Sequence, residues 1–285
     1  MKIYNEFDLT EFNSYRIKAS CKAAYFPENE SDVIEFYKIN KPYILLGSGH
    51  NIILSKTYYD CNFLIFNGNF QTIHINKSKG EIIAESGISM LDLSKSALEN
   101  NLSGLEIFYD IPSSLGGAVV MNAGASGEEI KDVISKVRFL DLKDMKVKEI
   151  LNKEADFTYR NSFFQREKNK VILKVWLQLN HSSFDVIKNK MESIKEQRWA
   201  KQPKEYPNAG SVFKRPEGKF VGPMIESLGL KGYTIGGAQI SEKHAGFIIN
   251  KGNATGRDIL ELIDFIKRKV QEEFGVELEV EQRIF

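Results

Sequence analysis

Residues 43–51 read Tyr-Ile-Leu-Leu-Gly-Ser-Gly-His-Asn, an apolar strand that runs directly into two closely spaced glycines. A glycine pair just after a strand lets backbone N–H groups close on a phosphate, because no Cβ blocks the approach. The stretch is not a dinucleotide fingerprint of the Rossmann type, since Ile52 stands where the third glycine belongs and no acidic residue lies near position 69. It therefore predicts a phosphate-binding loop on a different fold.

The pattern around this stretch predicts alternating strands and helices. A strand at 23–26 and a short helix capped by Ser31 precede it, and short β-rich runs follow through the middle of the chain. Later helices are predicted to begin at Ser89, Ser183 and Thr255, and the second of them to end at a proline, Pro203. Residues 276–284 alternate as a final strand, with Gln282 as the one break. This order predicts an α+β protein in about three units.

Composition limits the class of protein. The 285 residues are 42% hydrophobic and 27% charged, as in ordinary globular proteins. Lys+Arg 39 against Asp+Glu 38 leaves a net charge of +1, which gives no reason to expect a nucleic-acid partner. Cys21 and Cys61 form no CxxC pair, and the chain has neither an apolar signal segment nor an apolar run of about 18 residues. We expect a cytoplasmic protein without membrane insertion.

Three further motifs carry candidate chemistry. Residues 207–216, Pro-Asn-Ala-Gly-Ser-Val-Phe-Lys-Arg-Pro, place Ser211 in a small-residue frame; residues 157–162 contain a Tyr-Arg pair; and residues 111–125 are rich in glycine and alanine. Together they suit a bound flavin and an anionic substrate. Taken singly, each has a simpler interpretation: a solvated turn serine, a surface arginine in a weak ion pair, and tight packing of small residues.

Taken together, these motifs resemble the UDP-N-acetylenolpyruvoylglucosamine reductase family, and the resemblance extends from Asn13 to Arg283. It implies an enzyme that uses non-covalently bound FAD and NADPH to reduce UDP-N-acetylglucosamine enolpyruvate to UDP-N-acetylmuramate for peptidoglycan synthesis. It also implies a two-lobed FAD-binding domain of the vanillyl-alcohol-oxidase/PCMH type and a smaller α+β substrate domain. We expect lobe 1 at 1–67, lobe 2 at 68–197 and the substrate domain at 198–285, with the last strand free to return to lobe 1.

The same resemblance implies three catalytic residues. Ser211 would give a proton to the substrate carbon next to the carboxylate, and Arg160 would stabilise the enolate formed when hydride arrives. Glu281 matches the family's catalytic glutamate, two residues before Arg283. By periodicity alone Glu281 is only one of several charges on the solvated side of the last strand, and the catalytic role is what the resemblance implies. Gln282 stands where the family more often has valine.

Cofactor and substrate contacts are implied in the same way. The loop at 47–51 resembles the family's pyrophosphate loop, with His50 in place of the usual serine. No counterpart of the tyrosine-bearing insertion lies between Arg160 and Ser211, as in the shorter branch that lacks the tyrosine loop. The implied FAD contacts are Tyr15, Arg16, Gly47, Ser48, Gly49, His50, Asn51, Ile111, Pro112, Gly116, Gly117, Asn122, Ala123, Gly124 and Ala125. The implied substrate contacts are Tyr159, Lys201, Asn208, Lys214, Arg215 and His244.

The sequence leaves two alternatives to this function open. One is another FAD-dependent oxidoreductase of the same superfamily, and the other is a non-catalytic sugar-nucleotide binding protein. No metal site is expected, and a monomer is expected.

Overall fold

The computed structural model describes residues 1–39 and 41–285, which fall into two compact units. Unit 1 comprises Met1–Tyr4, Ala24–Ser48 and Cys61–Gln197. Unit 2 comprises Asn5–Ala23, Gly49–Asp60 and Arg198–Phe285. The division into lobes at 1–67 and 68–197 with a third domain at 198–285 stays a prediction.

Both helices and strands occur throughout the described residues. The helices are α1 Glu30–Ile39, α2 Met90–Glu99, α3 Leu115–Met121, α4 Phe163–Arg166, α5 Phe184–Lys201, α6 Val221–Ser227 and α7 Gly256–Phe274. The strands are β1 Lys2–Asp8, β2 Ser20–Phe26, β3 Tyr43–Leu46, β4 Ile52–Ile53, β5 Tyr58–Ile65, β6 Ile73–Asn76, β7 Glu81–Glu85, β8 Leu102–Ser103, β9 Gly124–Ala125, β10 Glu128–Glu129, β11 Ile134–Asp141, β12 Lys146–Leu151, β13 Lys170–Gln178, β14 Asn180–His181, β15 Thr234–Ile235, β16 Ala238–Ile240, β17 Ile248–Asn250 and β18 Arg283–Ile284.

Unit 1 is built on a five-stranded antiparallel sheet in the order β12-β11-β13-β7-β6. Helices α2 and α3 contribute fully buried side chains such as Leu93 and Val119 to a core that they share with Val137 and Val175 of this sheet. A second buried cluster includes Phe36 of α1. Strands β3 and β5 pair in parallel, in a sheet of order β1-β2-β5-β3. The loop at 47–51 therefore follows a strand, as predicted.

Unit 2 contains a three-stranded antiparallel sheet, β15-β16-β17, against which α7 packs. The capping box of Thr255 and Asp258 starts α7, and Gly275 ends it with φ 63°. Both features are confirmed predictions. Its apolar face, which includes Ile259, Leu262 and Ile266, is buried. Burying each such side chain contributes about 1.5–3 kcal/mol.

Two local predictions were wrong. Helix α1 is capped by Asn29, whose Oδ1 accepts from the Asp32 backbone N–H at 2.9 Å, so Ser31 lies inside the helix. The predicted final strand at 276–284 is reduced to Arg283–Ile284, which pairs in parallel with β4, and to a single bridge between Val280 and Phe213. Leu278 and Gln282 are buried and Val280 is partly buried, so the alternation of burial continues through Gln282 and ends at Ile284, which is exposed.

No helix among the described residues is long and apolar enough to cross a membrane.

Candidate active site

The serine segment of unit 2 pairs with the end of the chain. The Glu281 N–H donates to the Val212 carbonyl at 2.9 Å, and the Lys214 N–H donates to the Glu279 carbonyl at 2.9 Å. On its other side, Val212 donates to the Gly246 carbonyl at 3.1 Å. Ser211 is exposed and Glu281 is partly buried. The structure therefore brings two of the three predicted catalytic residues onto neighbouring segments.

The loop that leads into Ser211 is fixed by a side-chain amide from within. Asn208 donates from Nδ2 to the carbonyls of Pro203 at 2.9 Å and Tyr206 at 2.8 Å. Its Oδ1 accepts from the Gly210 N–H at 3.1 Å. Gly210 has φ +78°, a backbone conformation that glycine adopts without strain. Asn208, predicted as a substrate contact, is therefore also the internal brace of the serine loop, which we define as residues 208–211.

A second amide reaches the serine loop from the far end of the chain. Gln282 is 4% exposed, and its Nε2 faces the carbonyls of Ala209, Gly210 and Ser211 at 3.1, 3.3 and 3.4 Å. Its Oε1 accepts from the Tyr15 hydroxyl at 3.0 Å. Sequence reasoning missed this role. The only signal was that a polar residue interrupts an alternating pattern.

The predicted FAD contacts Tyr15 and Arg16 lie in unit 2, in residues 13–16, which we call the N-terminal block and which bond Gly49 of the same unit. Gly49 has φ +74°, and a Cβ on it would lie 2.0 Å from the Phe12 carbonyl oxygen, so no other residue fits there. Ser14 donates its N–H to the Gly49 carbonyl at 3.0 Å, while its buried hydroxyl has no hydrogen-bond partner among the described residues. Asn51 donates from Nδ2 to the Glu281 carbonyl at 3.3 Å and accepts from the Arg283 N–H at 3.0 Å. Arg16 bonds Glu11.

Unit 1 contains Gly47 and Gly116, where backbone segments of that unit also approach closely. A Cβ on Gly47 would lie 2.6 Å from Ser114 Oγ, and the Ser48 hydroxyl accepts from the Ser114 N–H at 3.0 Å. Gly116 donates to the Ser86 carbonyl at 2.8 Å, and a Cβ on it would meet the Ser86 Cβ at 3.0 Å. The Ser86 hydroxyl is buried and has no partner among the described residues.

Arg160 joins the loop at 122–125 within unit 1. Its guanidinium donates to the carbonyls of Gly124 at 2.7 Å and Asn122 at 3.4 Å. The bridge between Thr158 and Asn161 closes a turn in which Arg160 has φ +52°. This turn directs the guanidinium toward the loop. Asn122 also donates from Nδ2 to the Thr158 carbonyl at 3.0 Å, so the turn and the loop are linked twice.

The remaining predicted contacts differ in how firmly they are held. Lys214 pairs with Glu279 at 2.5 Å, and Arg215 stacks over Phe220 at 3.7 Å. The Nδ1 atom of the partly buried His244 accepts from the Gly246 N–H at 3.1 Å, and burial lowers its pKa. Tyr159 and Lys201 are exposed. The remaining predicted FAD contacts have apolar side chains or none. Ile111 is partly buried against the core, Pro112 is exposed, and Gly117, Ala123 and Ala125 are partly buried.

In each unit, taken by itself, these residues fit part of a ligand with phosphate and hydroxyl groups. Glycines at 47, 49 and 116 permit backbone approaches that a Cβ would block. The hydroxyls of Ser14 and Ser86 are buried without a partner, and a ligand with hydrogen-bonding groups can satisfy such atoms. Among the described residues no cluster of His, Cys, Asp and Glu could hold a metal ion.

Comparison with known proteins identifies the family. A model described as FAD binding domain matches residues 21–150, and one described as UDP-N-acetylenolpyruvoylglucosamine reductase, C-terminal domain, matches residues 202–285. The reductase of that name from Francisella tularensis is 42% identical over 96% of this chain and 97% of its own length. The one from Caldanaerobacter subterraneus is 40% identical over 99% of this chain and 93% of its own length.

A solved structure agrees. The UDP-N-acetylenolpyruvylglucosamine reductase of Thermus caldophilus superposes with a TM-score of 0.83 at 30% identity, covering 100% of this chain and 98% of that one. The fold class and the FAD cofactor predicted from the sequence are therefore confirmed. With relatives this similar over nearly its whole length, the chain belongs to the UDP-N-acetylenolpyruvoylglucosamine reductase family of FAD-dependent oxidoreductases.

Proposed function

We propose that Ser211, Arg160 and Glu281 perform the reduction of UDP-N-acetylglucosamine enolpyruvate to UDP-N-acetylmuramate, the NADPH-dependent reaction of this family in peptidoglycan synthesis. FAD, when bound, would supply the redox chemistry that carries hydride from NADPH to the enolpyruvyl double bond. The observation that carries the residue assignment is the 2.9 Å hydrogen bond from the Glu281 N–H to the Val212 carbonyl, which places two candidate residues on paired segments.

Ser211 is proposed as the proton donor to the carbon beside the substrate carboxylate. Its exposed hydroxyl sits on a loop whose backbone is fixed by Asn208 and Gln282, so the hydroxyl is presented from a rigid support. A positioned donor of this kind contributes about 10²–10⁴-fold. Because a free serine is a poor acid, the developing negative charge on the substrate must be stabilised by other groups.

Arg160 is proposed to provide that stabilisation. An arginine stays charged and offers a planar set of N–H donors to a carboxylate or an enolate oxygen. Two of its donors are already oriented by the carbonyls of Asn122 and Gly124, which restricts the side chain before substrate binds. Positioning of this kind lowers the cost of ordering a long side chain in the transition state.

Glu281 is proposed to assist proton delivery. Its backbone is held on both sides, by its own N–H on Val212 and by Asn51 on its carbonyl at 3.3 Å. These two bonds fix the Cα from which the carboxylate extends. The role as the family's catalytic glutamate rests on the match of residues 278–283.

Cofactor and substrate contacts are assigned to the predicted residues. The loop at 47–51 would bind the FAD pyrophosphate through backbone N–H groups, and Ser14 and Ser86 would add hydroxyl contacts. Lys201, Lys214 and Arg215 would supply local positive charge for the UDP diphosphate, since the net charge of +1 gives no general attraction. A cytoplasmic location and a monomeric state are proposed with this reaction; cell fractionation and sedimentation would test them.

The proposal is tested by separating the two half-reactions in Ser211→Ala. Reduction of the flavin by NADPH involves no carbon protonation and should proceed at nearly the wild-type rate. Return of the flavin absorbance on adding the UDP sugar should slow by about 10²–10⁴-fold. Stopped-flow absorbance measures both, with Ser227→Ala, an exposed serine of α6, as a matched control. A normal second half-reaction would exclude Ser211 as the acid and make Glu281 the next residue to test.

The alternative of a non-catalytic sugar-nucleotide binding protein is distinguished by the first half-reaction. Such a protein would be colourless or would not be bleached by NADPH. A different FAD-dependent oxidoreductase would be bleached but would not recover its absorbance with the UDP sugar.

A further inference from the structure

We infer that Gln282 is a positioning residue that holds the serine loop in its catalytic shape, and that Tyr15 orients the Gln282 amide for this task. The inference rests on the proposed role of Ser211. It concerns a link between the N-terminal block, the serine loop and the end of the chain, all within unit 2.

The orientation of the Gln282 amide follows from its neighbours. Three carbonyl oxygens face one end of the amide, at 3.1 Å (Ala209), 3.3 Å (Gly210) and 3.4 Å (Ser211). Carbonyls only accept hydrogen bonds, so this end must be Nε2, which donates. Oε1 is then left to face the Tyr15 hydroxyl at 3.0 Å, and that hydroxyl must be the donor.

Tyr15 is a fixed anchor for this contact. Its side chain is 0% exposed, and its carbonyl accepts from the Asn250 Nδ2 at 2.8 Å. Asn250 in turn donates its backbone N–H to the Pro207 carbonyl at 2.8 Å, just before the serine loop. Burial raises the pKa of Tyr15, which keeps its hydroxyl protonated and able to donate. Tyr15 is therefore tied to the serine loop by two routes, one through Asn250 and one through Gln282.

The contact shapes the loop at Ser211. Turning three successive carbonyls toward one amide requires a tight curl, which Gly210 permits with φ +78°. With its carbonyl on the inner side, Ser211 stays exposed while Ala209 is 3% exposed. An apolar side chain at position 282 would leave all three carbonyls without this donor, and the buried Ala209 carbonyl would have the least access to water. The curl that presents the Ser211 hydroxyl would then relax.

The test uses Gln282→Leu, Tyr15→Phe and the double variant, each as the FAD-loaded protein. Gln282→Leu should slow recovery of the flavin absorbance with the UDP sugar by about ten- to a hundredfold, the effect of losing one or two hydrogen bonds. Bleaching by NADPH and the Kd of UDP should change less than twofold. Tyr15→Phe should show a smaller loss in the same half-reaction. The double variant should be no slower than Gln282→Leu, because the hydroxyl that Tyr15→Phe removes donates to Gln282.

Amide hydrogen exchange gives a readout that does not depend on turnover. Residues 209–212 should exchange faster in Gln282→Leu and in Tyr15→Phe, while α7 should exchange at the wild-type rate. Should Gln282→Leu fail to fold, the milder Tyr15→Phe still decides the question. Equal slowing of both half-reactions, or unchanged exchange at 209–212, would overturn the inference.

Different experimental results would contradict the positioning role of Gln282 and the proposed role of Ser211. If Ser211→Ala recovers its absorbance at the wild-type rate, the role of Ser211 is wrong, whatever Gln282→Leu does. If Ser211→Ala is slow while Gln282→Leu and Tyr15→Phe are normal, the role of Ser211 stands and the positioning role of Gln282 is wrong.

Discussion

The glycine-rich region of unit 1, which we define as residues 47–48 and 114–125, and the serine loop of unit 2 are stabilised by different kinds of contact. Around Ser114 the backbone segments approach closely because Gly47 and Gly116 carry no side chain, and the bonds that close the region come from the main chain and a short hydroxyl. Around Ser211 the backbone is held by two long amides, Asn208 and Gln282, that reach in and bond its carbonyls. The glycine region requires that Gly47 and Gly116 carry no side chain, whereas the serine loop requires the amide side chains of Asn208 and Gln282.

This difference determines how each region responds to mutation. Adding a single methyl group to a glycine of this region creates a steric conflict with neighbouring atoms, and displacing those atoms is energetically unfavourable. Removing an amide from the serine loop leaves space and unbonded carbonyls, which water can partly satisfy. We therefore expect larger stability losses from additions in unit 1 than from deletions in unit 2.

Gly124→Ala gives the largest expected effect. Gly124 is buried, and a Cβ on it would lie 2.2 Å from the Glu128 carbonyl oxygen and 2.9 Å from the Glu129 Cα, which pairs with it across β9 and β10. Because both are backbone atoms, no rotamer change relieves the contact, and we expect a loss of about 3 kcal/mol in the free energy of unfolding. Arg160, which bonds the Gly124 carbonyl, should be displaced as well. Denaturant unfolding and FAD content measure the two effects.

Gly222→Ala is the matched control for this prediction. A Cβ at Gly222, in helix α6, would lie 3.5 Å from the His244 Cε1, an ordinary contact. Alanine in a helix is favoured over glycine by about 0.5–1 kcal/mol, so the stability should hold or rise. If the two alanine variants were equally unstable, the steric account of the glycine region would be wrong.

Asn208→Ala probes the amide-held loop and should cost less. It removes two donated bonds, to Pro203 and Tyr206, and one accepted from Gly210. Asn208 is only partly buried, so water can replace part of what is lost, and we expect about 1–2 kcal/mol. Denaturant unfolding of Asn208→Ala beside Gly124→Ala gives the comparison directly. A loss larger than that of Gly124→Ala would reverse the contrast between the regions.

The same contrast explains what the sequence could predict. The glycine region could be predicted because its signal is local: a strand followed by Gly47 and Gly49, and a stretch rich in glycine and alanine at 111–125. The N-cap at Ser89 and the capping box at Thr255 could be predicted for the same reason. The family resemblance supplied the candidate residues, because none of them stands out from a solvated turn or surface charge on its own.

The contacts that hold the serine loop could not be predicted from the sequence, because residues distant in the chain make them. Gln282 lies 71 residues from Ser211 and 267 from Tyr15, and no spacing rule connects them. The same holds for the turn that brings Arg160 to Gly124 at a sequence separation of 36 residues. Most of the predicted final strand is absent for a related reason: its pairing partners, Phe213 and β4, are distant in the chain and pair with only a few of its residues.

The smallest effect is expected from His244, through the pH dependence of the free energy of unfolding. The two regions should differ in this pH dependence. The glycine region is closed by hydroxyls and backbone groups that do not titrate near neutrality, whereas His244 braces residues next to the serine loop. Burial lowers the pKa of His244, and its Nδ1 accepts the Gly246 N–H at 3.1 Å, a bond that requires the unprotonated nitrogen.

Because the pKa is lower in the folded state, the unfolded chain takes up the proton first as the pH falls. His244 therefore stabilises the fold fully above its ordinary pKa of about 6.5, and this contribution is lost as the pH falls through the lower folded value. Denaturant unfolding between pH 7.5 and 5 should show wild-type stability falling more steeply than that of His244→Gln, whose amide does not titrate and whose curve serves as the baseline. If the two curves ran parallel, His244 would make no pH-dependent contribution, and the serine loop would be as insensitive to pH as the glycine region.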